Sequence, residues 1–225
     1  ELPVMADGDT GFGNAVNAWY TVRAFERIGA AGINIEDQVM PKRCGHLDGK
    51  TIVPLDEAVA KIRACAEART DPDFVINART DALAVAGIDE VIRRCNAYFD
   101  AGATMVFIDG MTSRALTEQA LRAIRGPVAI NLVEGGRSPA DFDFAAMQAI
   151  GVARVSLPLT TILGAIHGMR QALAAVRTHG GIAGNASLVA PFADLKHLVG
   201  FDEVFALEQR HLAGLRRDGA MAGAR

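Results

Sequence analysis

Six short apolar runs, each followed by a segment of helical periodicity, constrain the fold of this chain more than any other feature. The runs are rich in β-branched residues and read as apolar throughout, which is typical of parallel strands covered on both faces. They are Leu2–Ala6, Ile33–Ile35, Phe74–Ala78, Met105–Ile108, Val128–Leu132 and Arg154–Leu157. The helical segments are Ala15–Ile28, Leu55–Arg69, Ile88–Ala101, Ser113–Ile124, Pro139–Ile150 and Thr160–Val176. This alternation predicts an α/β fold built from βαβ units.

Nearly every polar residue that could take part in chemistry lies at the C-terminal end of one of these runs. These residues are Asp7, Asp9, Glu36, Asp37, Arg79, Asp81, Asp109, Asn131 and Glu134, and Pro158 follows the sixth run. A closed barrel of parallel strands collects such positions on one face, where its active site lies. A doubly wound open sheet places its ligand crevice at the same strand ends and is the alternative. We favour the (β/α)8 TIM-type barrel, because six separate strand ends contribute these groups.

Six units are two short of eight, so the barrel interpretation predicts two further βα units before Glu1, about 60–70 residues in all. We expect strands three to eight of the barrel in residues 1–178, a helical extension of the same domain in 179–217 and a disordered tail in 218–225. An apolar stripe runs along Pro191–Val199 and Phe201–Leu215. Since the barrel helices are already assigned, this stripe predicts contact with another subunit or with the outside of the barrel itself.

Composition excludes several classes of function. The 225 residues are 50% hydrophobic, enough for one domain of the larger α/β kind. A net charge of −3 without a basic stripe argues against nucleic acid, and no apolar run approaches the length of a membrane span. The cysteines, Cys44, Cys65 and Cys95, are odd in number and lack the paired spacing of a zinc site, which favours a reducing, cytoplasmic location. Cys65 and Cys95 fall in helical patterns and are predicted to be inert core thiols.

The segment Pro41–His46 places the thiol of Cys44 between two cationic residues and an imidazole. Positive charge favours the thiolate and hence a reactive sulfur, and Gly45 allows the backbone to approach a ligand closely. The alternative is an exposed basic loop with an incidental cysteine. His46 has three interpretations: a substrate ligand, a partner that tunes Cys44, or a solvated loop residue. The surrounding loop, Gln38–Lys50, is long enough to act as a lid, and we predict that it is mobile without ligand.

A glycine-rich turn after the first run carries Asp7 and Asp9, two residues apart. Such a turn lets both carboxylates converge on a hard cation, and Glu36 from the neighbouring strand end completes the shell through water. All-oxygen ligation by few side chains suits Mg²⁺, or Mn²⁺, better than zinc. Ordinary turn and cap chemistry is the alternative for the two aspartates. A phosphate cradle is a weaker interpretation, because the carboxylates repel phosphate.

Arg79 follows a buried run and points at the same end of the sheet. It can hold a substrate carboxylate in a bidentate fork and stabilise charge that develops on it, or it can form a structural salt bridge to Asp81 or Asp109. Asn131 and Glu134 offer a neutral and an anionic group to a second substrate carboxyl or to water.

Together these motifs resemble those of the isocitrate lyase and phosphoenolpyruvate mutase superfamily. The motifs are Asp7–Gly13, Ile35–Gln38, Lys42–His46, Ala78–Ala82 and Asn131–Gly136. The Lys-Arg-Cys-Gly-His loop resembles the branch that cleaves carbon–carbon bonds, such as the methylisocitrate and dimethylmalate lyases, whereas phosphoenolpyruvate mutase proper and many decarboxylases lack the cysteine. The resemblance implies an eight-stranded barrel, Mg²⁺, and a homodimer or homotetramer that exchanges its last helix between subunits.

The resemblance also implies a reaction on a 2-hydroxy di- or tricarboxylate. A base removes the hydroxyl proton, the C2–C3 bond breaks, an oxo acid such as pyruvate or glyoxylate leaves, and Cys44 delivers a proton to the remaining carbanion. Asp7 would hold the metal directly, with Asp9 and Glu36 in the water-mediated shell. The expected catalytic residues are Cys44, Arg79, Lys42 and His46; the expected substrate-binding residues are Gly45, His46, Arg79, Asn131, Glu134 and Pro158; the expected metal residues are Asp7, Asp9, Glu36 and Asp109.

Two positions bear on the choice within the superfamily. The lyases usually show glutamate where this chain has Asp109, and one methylene less pulls the carboxylate back from the metal shell. Pro158 resembles the lyases, whereas oxaloacetate-hydrolysing relatives often place serine there. The alternatives are an oxaloacetate hydrolase or decarboxylase, a phosphonomutase of the same superfamily, and a catalytically inactive barrel used for binding.

Overall fold

The structure is a computed structural model that describes residues 2–44, 47–136, 138, 139 and 142–212. The strands are β1 (Met5–Asp7), β2 (Gly32–Glu36), β3 (Val75–Thr80), β4 (Met105–Ile108), β5 (Val128–Asn131) and β6 (Arg154–Ser156). The helices are α1 (Ala15–Arg27), α2 (Leu55–Ala68), α3 (Ala82–Ala86), α4 (Ile88–Asp100), α5 (Arg114–Ala123), α6 (Phe144–Ile150), α7 (Thr160–His179), α8 (Phe192–Leu198) and α9 (Phe201–Leu212). Within these ranges, no helix has both the length and the apolarity needed to cross a bilayer.

The six strands form one parallel sheet in which each strand pairs with the next along the chain. The predicted βαβ organisation is therefore confirmed, and the sheet is consistent with a TIM-type barrel. The two further units before Glu1 stay a prediction. The first strand was placed slightly too early: it is Met5–Asp7, so Asp7 ends the strand itself.

The prediction that the strands are apolar throughout is wrong for β2 and β3, which alternate. Their outer face carries apolar side chains such as Ile33, Ile35 and Ile76, each at most 1% exposed. Their inner face carries polar side chains in matching register, so that Glu36 lies beside Arg79. This alternation lines the inside of the sheet with the groups of the site described below.

Side-chain caps fix the starts of α1 and α6. Asn14 accepts hydrogen bonds from the backbone N–H groups of Val16 and Asn17, and the Asn17 side chain accepts one from the backbone N–H of Asn14, so α1 starts with a capping box. The segment Pro139–Ile150 was predicted to be one helix, but α6 begins only at Phe144, since Asp143 caps it by accepting from the N–H of Ala146 at 2.7 Å.

The chain divides into two compact units, residues 1–160 and 161–225. The first holds the sheet and α1 to α6. The second holds the rest of α7, α8 and α9, and in it Lys196 Nζ lies 5.6 Å from the centroid of the Phe205 ring. Large apolar side chains of the second unit are exposed in this chain: Ile162, Leu163, Met169, Leu173, Phe192 and Leu198. The predicted boundaries and the helix exchange stay predictions, and the predicted tail lies outside the described residues.

Candidate active site

The turn after β1 holds its two aspartates through its own backbone. Asp7 Oδ1 accepts from the N–H of Asp9 at 2.9 Å, and Asp9 Oδ1 accepts from the N–H of Thr10 at 2.8 Å. Asp9 adopts a φ of 53°, a left-handed conformation that aspartate tolerates better than most residues. The N–H of Glu36 donates to the Asp9 carbonyl at 2.8 Å and ties the turn to the end of β2. The turn chemistry kept open above is therefore present, and it uses only one oxygen of each carboxylate.

A buried lysine of α2 donates a hydrogen bond to the backbone of this turn. The spacing of Glu57, Lys61 and Arg63 predicts a charged helix face to which we assign no role, and of the three Lys61 is buried in the structure. Lys61 is 5% exposed, and its Nζ lies 3.3 Å from the carbonyl oxygen of Thr10, to which it donates. A long lysine stem can bury its methylenes while its ammonium reaches a backbone oxygen, which explains why a helical charge pattern concealed this contact.

Lys42 lies between carboxylates from two strand ends. Its Nζ is 3.3 Å from Asp9 Oδ2 and 3.3 Å from Glu36 Oε1. Partial burial lowers the pKa of Lys42, but the negative charges of Glu36, Asp7 and Asp9 outweigh it and raise the pKa above its ordinary value. Three of the four carboxylates that were predicted as metal residues thus act on a single positive charge, that of Lys42.

Glu36 is a buried carboxyl group with a raised pKa. Its side chain is 2% exposed, and burial raises its pKa to about 7 against the opposing charges of Arg79 and Lys42. Its two oxygens face different cations, since Oε1 faces Lys42 and Oε2 lies 3.2 Å from Arg79 Nε. Glu36 therefore links the lysine of the loop to the arginine of β3.

Arg79 is surrounded by carboxylates. Asp81 accepts from its Nε at 2.9 Å and from its Nη2 at 3.1 Å, and Asp109 Oδ1 lies 3.3 Å from Nη2. The guanidinium carbon lies 5.3 Å from the centroid of the Phe107 ring, within cation–π range. Burial lowers the pKa of Arg79, but Asp81, Asp109 and Glu36 outweigh it and keep the pKa above its ordinary value. Both salt bridges offered above as the structural alternative are present.

Asp109 belongs to the Arg79 side of the site. Besides Arg79, its carboxylate accepts from Asn131 Nδ2 at 2.9 Å and lies 3.9 Å from Lys50 Nζ. Lys50 also lies 3.3 Å from Asp81 Oδ1 and is buried, although the sequence marked it only as the end of a loop. The predicted metal carboxylates therefore fall into two groups, one at Lys42 and one at Arg79, which share Glu36. The metal role of Asp109 stays a prediction.

A buried hydrogen-bond network behind the site was not predicted. Asp37 Oδ2 accepts from Thr80 Oγ1 at 2.7 Å, from Tyr98 Oη at 2.7 Å and from Arg94 Nη1 at 3.0 Å. Asp37 Oδ1 accepts from the backbone N–H of Asp81 at 3.0 Å. The network therefore helps to position Asp81, whose carboxylate accepts two hydrogen bonds from Arg79. Burial, followed by the charge of Asp37, raises the pKa of Tyr98 well above its ordinary value. The spacing of Arg94 and Tyr98 on one face of α4 was the available signal.

The predicted burial of Cys65 and Cys95 agrees with the structure, and the loop around Cys44 is described in part. Cys65 and Cys95 are 0% exposed, and burial raises the pKa of Cys65 to about 12, as expected of inert core thiols. Cys44 is a free, exposed thiol. Gly45 and His46 lie outside the described residues, so their predicted roles stay predictions.

Glu134 and Pro158 lie at the exposed margin of the sheet. Thr160 Oγ1 donates to Glu134 Oε1, and this hydrogen bond lowers the pKa of Glu134. This contact does not join Glu134 to Arg79 or to Lys42, and the substrate roles of Glu134 and Pro158 stay predictions.

The carboxylates around Lys42 are the candidate ligands for a metal ion. In residues 2–44, 47–136, 138, 139 and 142–212, no three His, Cys, Asp or Glu side chains are grouped so that they hold a metal by themselves. Asp9 and Glu36 nevertheless converge on one cation, and all their donor atoms are oxygens. Few direct ligands, all of them oxygens, suit Mg²⁺, which commonly binds one or two carboxylates and keeps several waters.

Comparison with known proteins gives one consistent result. The sequence profile of the phosphoenolpyruvate phosphomutase family matches residues 1–177. The 2,3-dimethylmalate lyase of Eubacterium barkeri is 39% identical over 213 residues, which are 95% of this chain and 73% of that protein. The 2-methylisocitrate lyase of Escherichia coli (strain K12) is 46% identical over 160 residues, 71% of this chain but only 54% of that protein. The chain thus spans between about half and three quarters of these relatives.

Two solved structures illustrate the chemistry found on this fold. Oxaloacetate acetylhydrolase in complex with the inhibitor 3,3-difluorooxalacetate matches with a TM-score of 0.84 and 34% identity, over 92% of this chain and 70% of that one. Phosphonopyruvate hydrolase in complex with oxalate and Mg²⁺ matches with a TM-score of 0.81 and 33% identity, over 94% of this chain and 73% of that one. With its parallel sheet, its acidic strand ends and these similarities, the chain belongs to the phosphoenolpyruvate phosphomutase family, within the phosphoenolpyruvate mutase and isocitrate lyase superfamily.

Proposed function

We propose that this chain is the greater part of a Mg²⁺-dependent carbon–carbon lyase that cleaves a 2-hydroxy di- or tricarboxylate of the 2-methylisocitrate or 2,3-dimethylmalate type. The products are pyruvate or a related oxo acid and a second carboxylate. The two lyases described above support this reaction class, and the Mg²⁺–oxalate complex of a structural neighbour supports the cofactor.

One observation carries the proposal: Lys42, two residues before Cys44, lies 3.3 Å from both Asp9 and Glu36. The loop that bears the thiol is thereby anchored at the carboxylates that we propose as the metal site. A thiol donor and a metal-bound hydroxy acid must lie close together for the donor to protonate the carbanion, and the reach of Lys42 to these carboxylates supports such proximity.

Each residue then has a defined task. Asp7 would bind Mg²⁺ directly, with Asp9 and Glu36 in its water-mediated shell, and the ion supplies a Lewis acid for the 2-hydroxy carboxylate when it is bound. Arg79 balances the negative charge that develops as the C2–C3 electron pair moves onto the departing carbon. Cys44 gives its S–H proton to that carbon, and the base that removes the hydroxyl proton is not assigned. Because Cys44 is exposed in this chain, the loop must carry the thiol inwards over the bound substrate.

A coupled assay for pyruvate and glyoxylate tests the proposal with methylisocitrate, dimethylmalate, isocitrate and oxaloacetate, each with Mg²⁺ and with EDTA. We expect turnover of one of the first two acids that is lost in EDTA. Consumption of oxaloacetate alone would assign the hydrolase function of the structural neighbour instead. Failure to turn over any acid, with Mg²⁺ still bound in calorimetry, would favour a non-catalytic barrel.

The chain offers a matched control for the thiol. Cys44→Ser should abolish cleavage but leave Mg²⁺ binding unchanged, because the sulfur is not a proposed metal ligand. Cys65→Ser, in the core, changes the same atom away from the site and should cleave substrate at the rate of the unchanged protein once folded. Unchanged turnover by the Cys44 variant removes the thiol from the mechanism.

We further propose that the C-terminal helices contact a second copy of the chain. Exposed apolar side chains on α7, α8 and α9 support this assembly. Light scattering on the full natural protein should give a dimer or tetramer, and a stable monomer would refute the exchange of helices.

A further inference from the structure

Gln38 is buried at the base of the loop that carries Cys44. Its side chain is among the largest that are fully buried, and the residue is 1% exposed. An amide buried to this degree costs free energy unless its donor and its acceptor are both satisfied. Both are satisfied by one residue of the loop, since Nε2 donates to the Arg43 carbonyl at 2.8 Å and Oε1 accepts from the Arg43 N–H at 2.9 Å.

The two hydrogen bonds of Gln38 fix two successive peptide groups. The Arg43 N–H belongs to the peptide that joins Lys42 to Arg43, and the Arg43 carbonyl belongs to the peptide that joins Arg43 to Cys44. Because each peptide group is planar, holding both also sets the direction in which the backbone continues to Cys44. The Gln38 side chain pairs with Arg43 as the backbone of a neighbouring strand would, because its amide both donates and accepts a hydrogen bond.

Gln38 is itself held rigidly. It forms an isolated antiparallel bridge with Ile52, the N–H of Val39 donates to the Thr51 carbonyl at 2.9 Å, and the N–H of Val53 donates to the Asp37 carbonyl at 2.8 Å. The base of the loop is therefore closed by backbone pairing on both sides of Gln38. Through its side-chain amide, Gln38 also holds the backbone of Arg43, the residue before Cys44.

The far side of Arg43 is also in contact. Its Nη1 donates to the Asp48 carbonyl at 3.3 Å. Next to it, Lys42 contacts Asp9 and Glu36. Arg43 is thus held by its backbone and its side chain, and Gln38 makes both of the backbone contacts.

We propose that Gln38 is a positioning residue for the Cys44 thiol. The net stabilisation from its two hydrogen bonds is small, and ordering a glutamine side chain offsets much of it. The main consequence of these two hydrogen bonds is therefore the fixed direction of the backbone at Arg43, and not a gain in stability. This inference rests on the proposed role of Cys44 as proton donor and deepens it, since it names the group that sets where the donor stands.

The test compares Gln38→Met, which keeps the length of the side chain and loses both hydrogen bonds, with Gln38→Glu, which keeps the acceptor for the Arg43 N–H. Thr117→Val on α5 is the matched control, because Thr117 is 0% exposed and its hydroxyl donates to the Ser113 carbonyl at 3.0 Å, away from the loop. Circular dichroism first confirms that each variant is folded. If the methionine variant does not fold, the glutamate variant carries the test.

Hydrogen exchange of the full chain, read by mass spectrometry on peptides that span residues 39–50, is the first measurement. We expect exchange to be faster in both Gln38 variants, by more than about tenfold in Gln38→Met, with no change in Thr117→Val, because a local opening raises exchange only where the hydrogen bonds are lost. Loop exchange at the rate of the unchanged protein in both Gln38 variants would overturn the proposal.

Steady-state kinetics is the second measurement. We expect kcat of Gln38→Met to fall about tenfold to a hundredfold, since small errors in placing a reacting group cost this much, while KM changes by less than about threefold because substrate binding is retained. An unchanged kcat together with faster loop exchange would also overturn the positioning role. If the unchanged protein cleaves no substrate, the proposed function fails, and the exchange measurement alone still decides whether Gln38 orders the loop.

Discussion

Replacing Glu36 by glutamine should change the pH dependence of folding stability in a defined direction. In the folded chain burial raises the pKa of Glu36 to about 7, against an ordinary value of 4.5. Between these two values the folded chain keeps a proton that the unfolded chain has released. Stability therefore falls as pH rises through this window, because the folded state binds more protons than the unfolded state. The amide of the Glu36→Gln variant does not titrate, so the variant lacks this loss.

The magnitude follows from the two pKa values. They differ by about 2.5 pH units, and at 1.36 kcal/mol for each unit the ceiling is about 3 kcal/mol. Relaxation of Lys42, whose side chain is 29% exposed, and water entering the pocket both reduce this figure. We expect the free energy of unfolding of Glu36→Gln, minus that of the unchanged chain, to rise by about 1–3 kcal/mol between about pH 5 and about pH 8.

Urea unfolding followed by circular dichroism, in EDTA and at several pH values, measures this difference. The change with pH matters rather than the absolute difference, because glutamine also alters contacts with Arg79 and Lys42 at every pH. Glu67→Gln on the exposed face of α2 is the control and should give a flat difference. A flat or falling difference for Glu36→Gln would refute the claim that burial dominates this carboxyl group.

Three further outcomes are expected. Lys42→Met should bind Mg²⁺ roughly tenfold more tightly in calorimetry, because the ammonium group of Lys42 competes with the metal for Asp9 and Glu36. Two partly screened ion pairs are worth on the order of 1 kcal/mol. Weaker binding by the variant would show that the metal lies elsewhere. Tyr98→Phe should lose about 1–3 kcal/mol in urea unfolding, since buried Asp37 loses a donor; no loss would contradict the network. Ellman's reagent should titrate one thiol quickly in the folded chain and three after unfolding, because Cys65 and Cys95 are 0% exposed; two fast thiols would contradict that burial.

The positions of the polar residues at the strand ends could be predicted because an apolar run and the polar residue that follows it are local features of the sequence. Glu36, Arg79 and Asp109 each follow an apolar run, and parallel pairing of neighbouring strands is enough to bring them to one edge. The prediction needed no knowledge of side-chain direction. It was enough to place these three side chains at the same end of the sheet.

The same reasoning missed groups whose positions depend on long side chains or on distant pairing. Lys50 and Lys61 reach the site by extending flexible stems, and no period in the sequence reports where such a stem ends. Asp37 joins Arg94 and Tyr98 across a long stretch of chain, so these donors appear only when α4 packs on the sheet. Helical spacing marks the two α4 residues as inward-facing but does not name their partner.

Glu36 explains why the predicted carboxylates do not act as one group. Its two oxygens contact different cations, Lys42 on the loop and Arg79 on β3. Any ligand that draws Glu36 towards one of them must weaken its contact with the other, because a single carboxylate cannot keep both ion pairs short as it moves. A metal ion at Asp7, Asp9 and Glu36 would repel Lys42 and compete with it, and so would favour movement of the loop that bears Cys44. In this arrangement cation binding and loop position are coupled through one buried carboxylate, and the coupling is reciprocal.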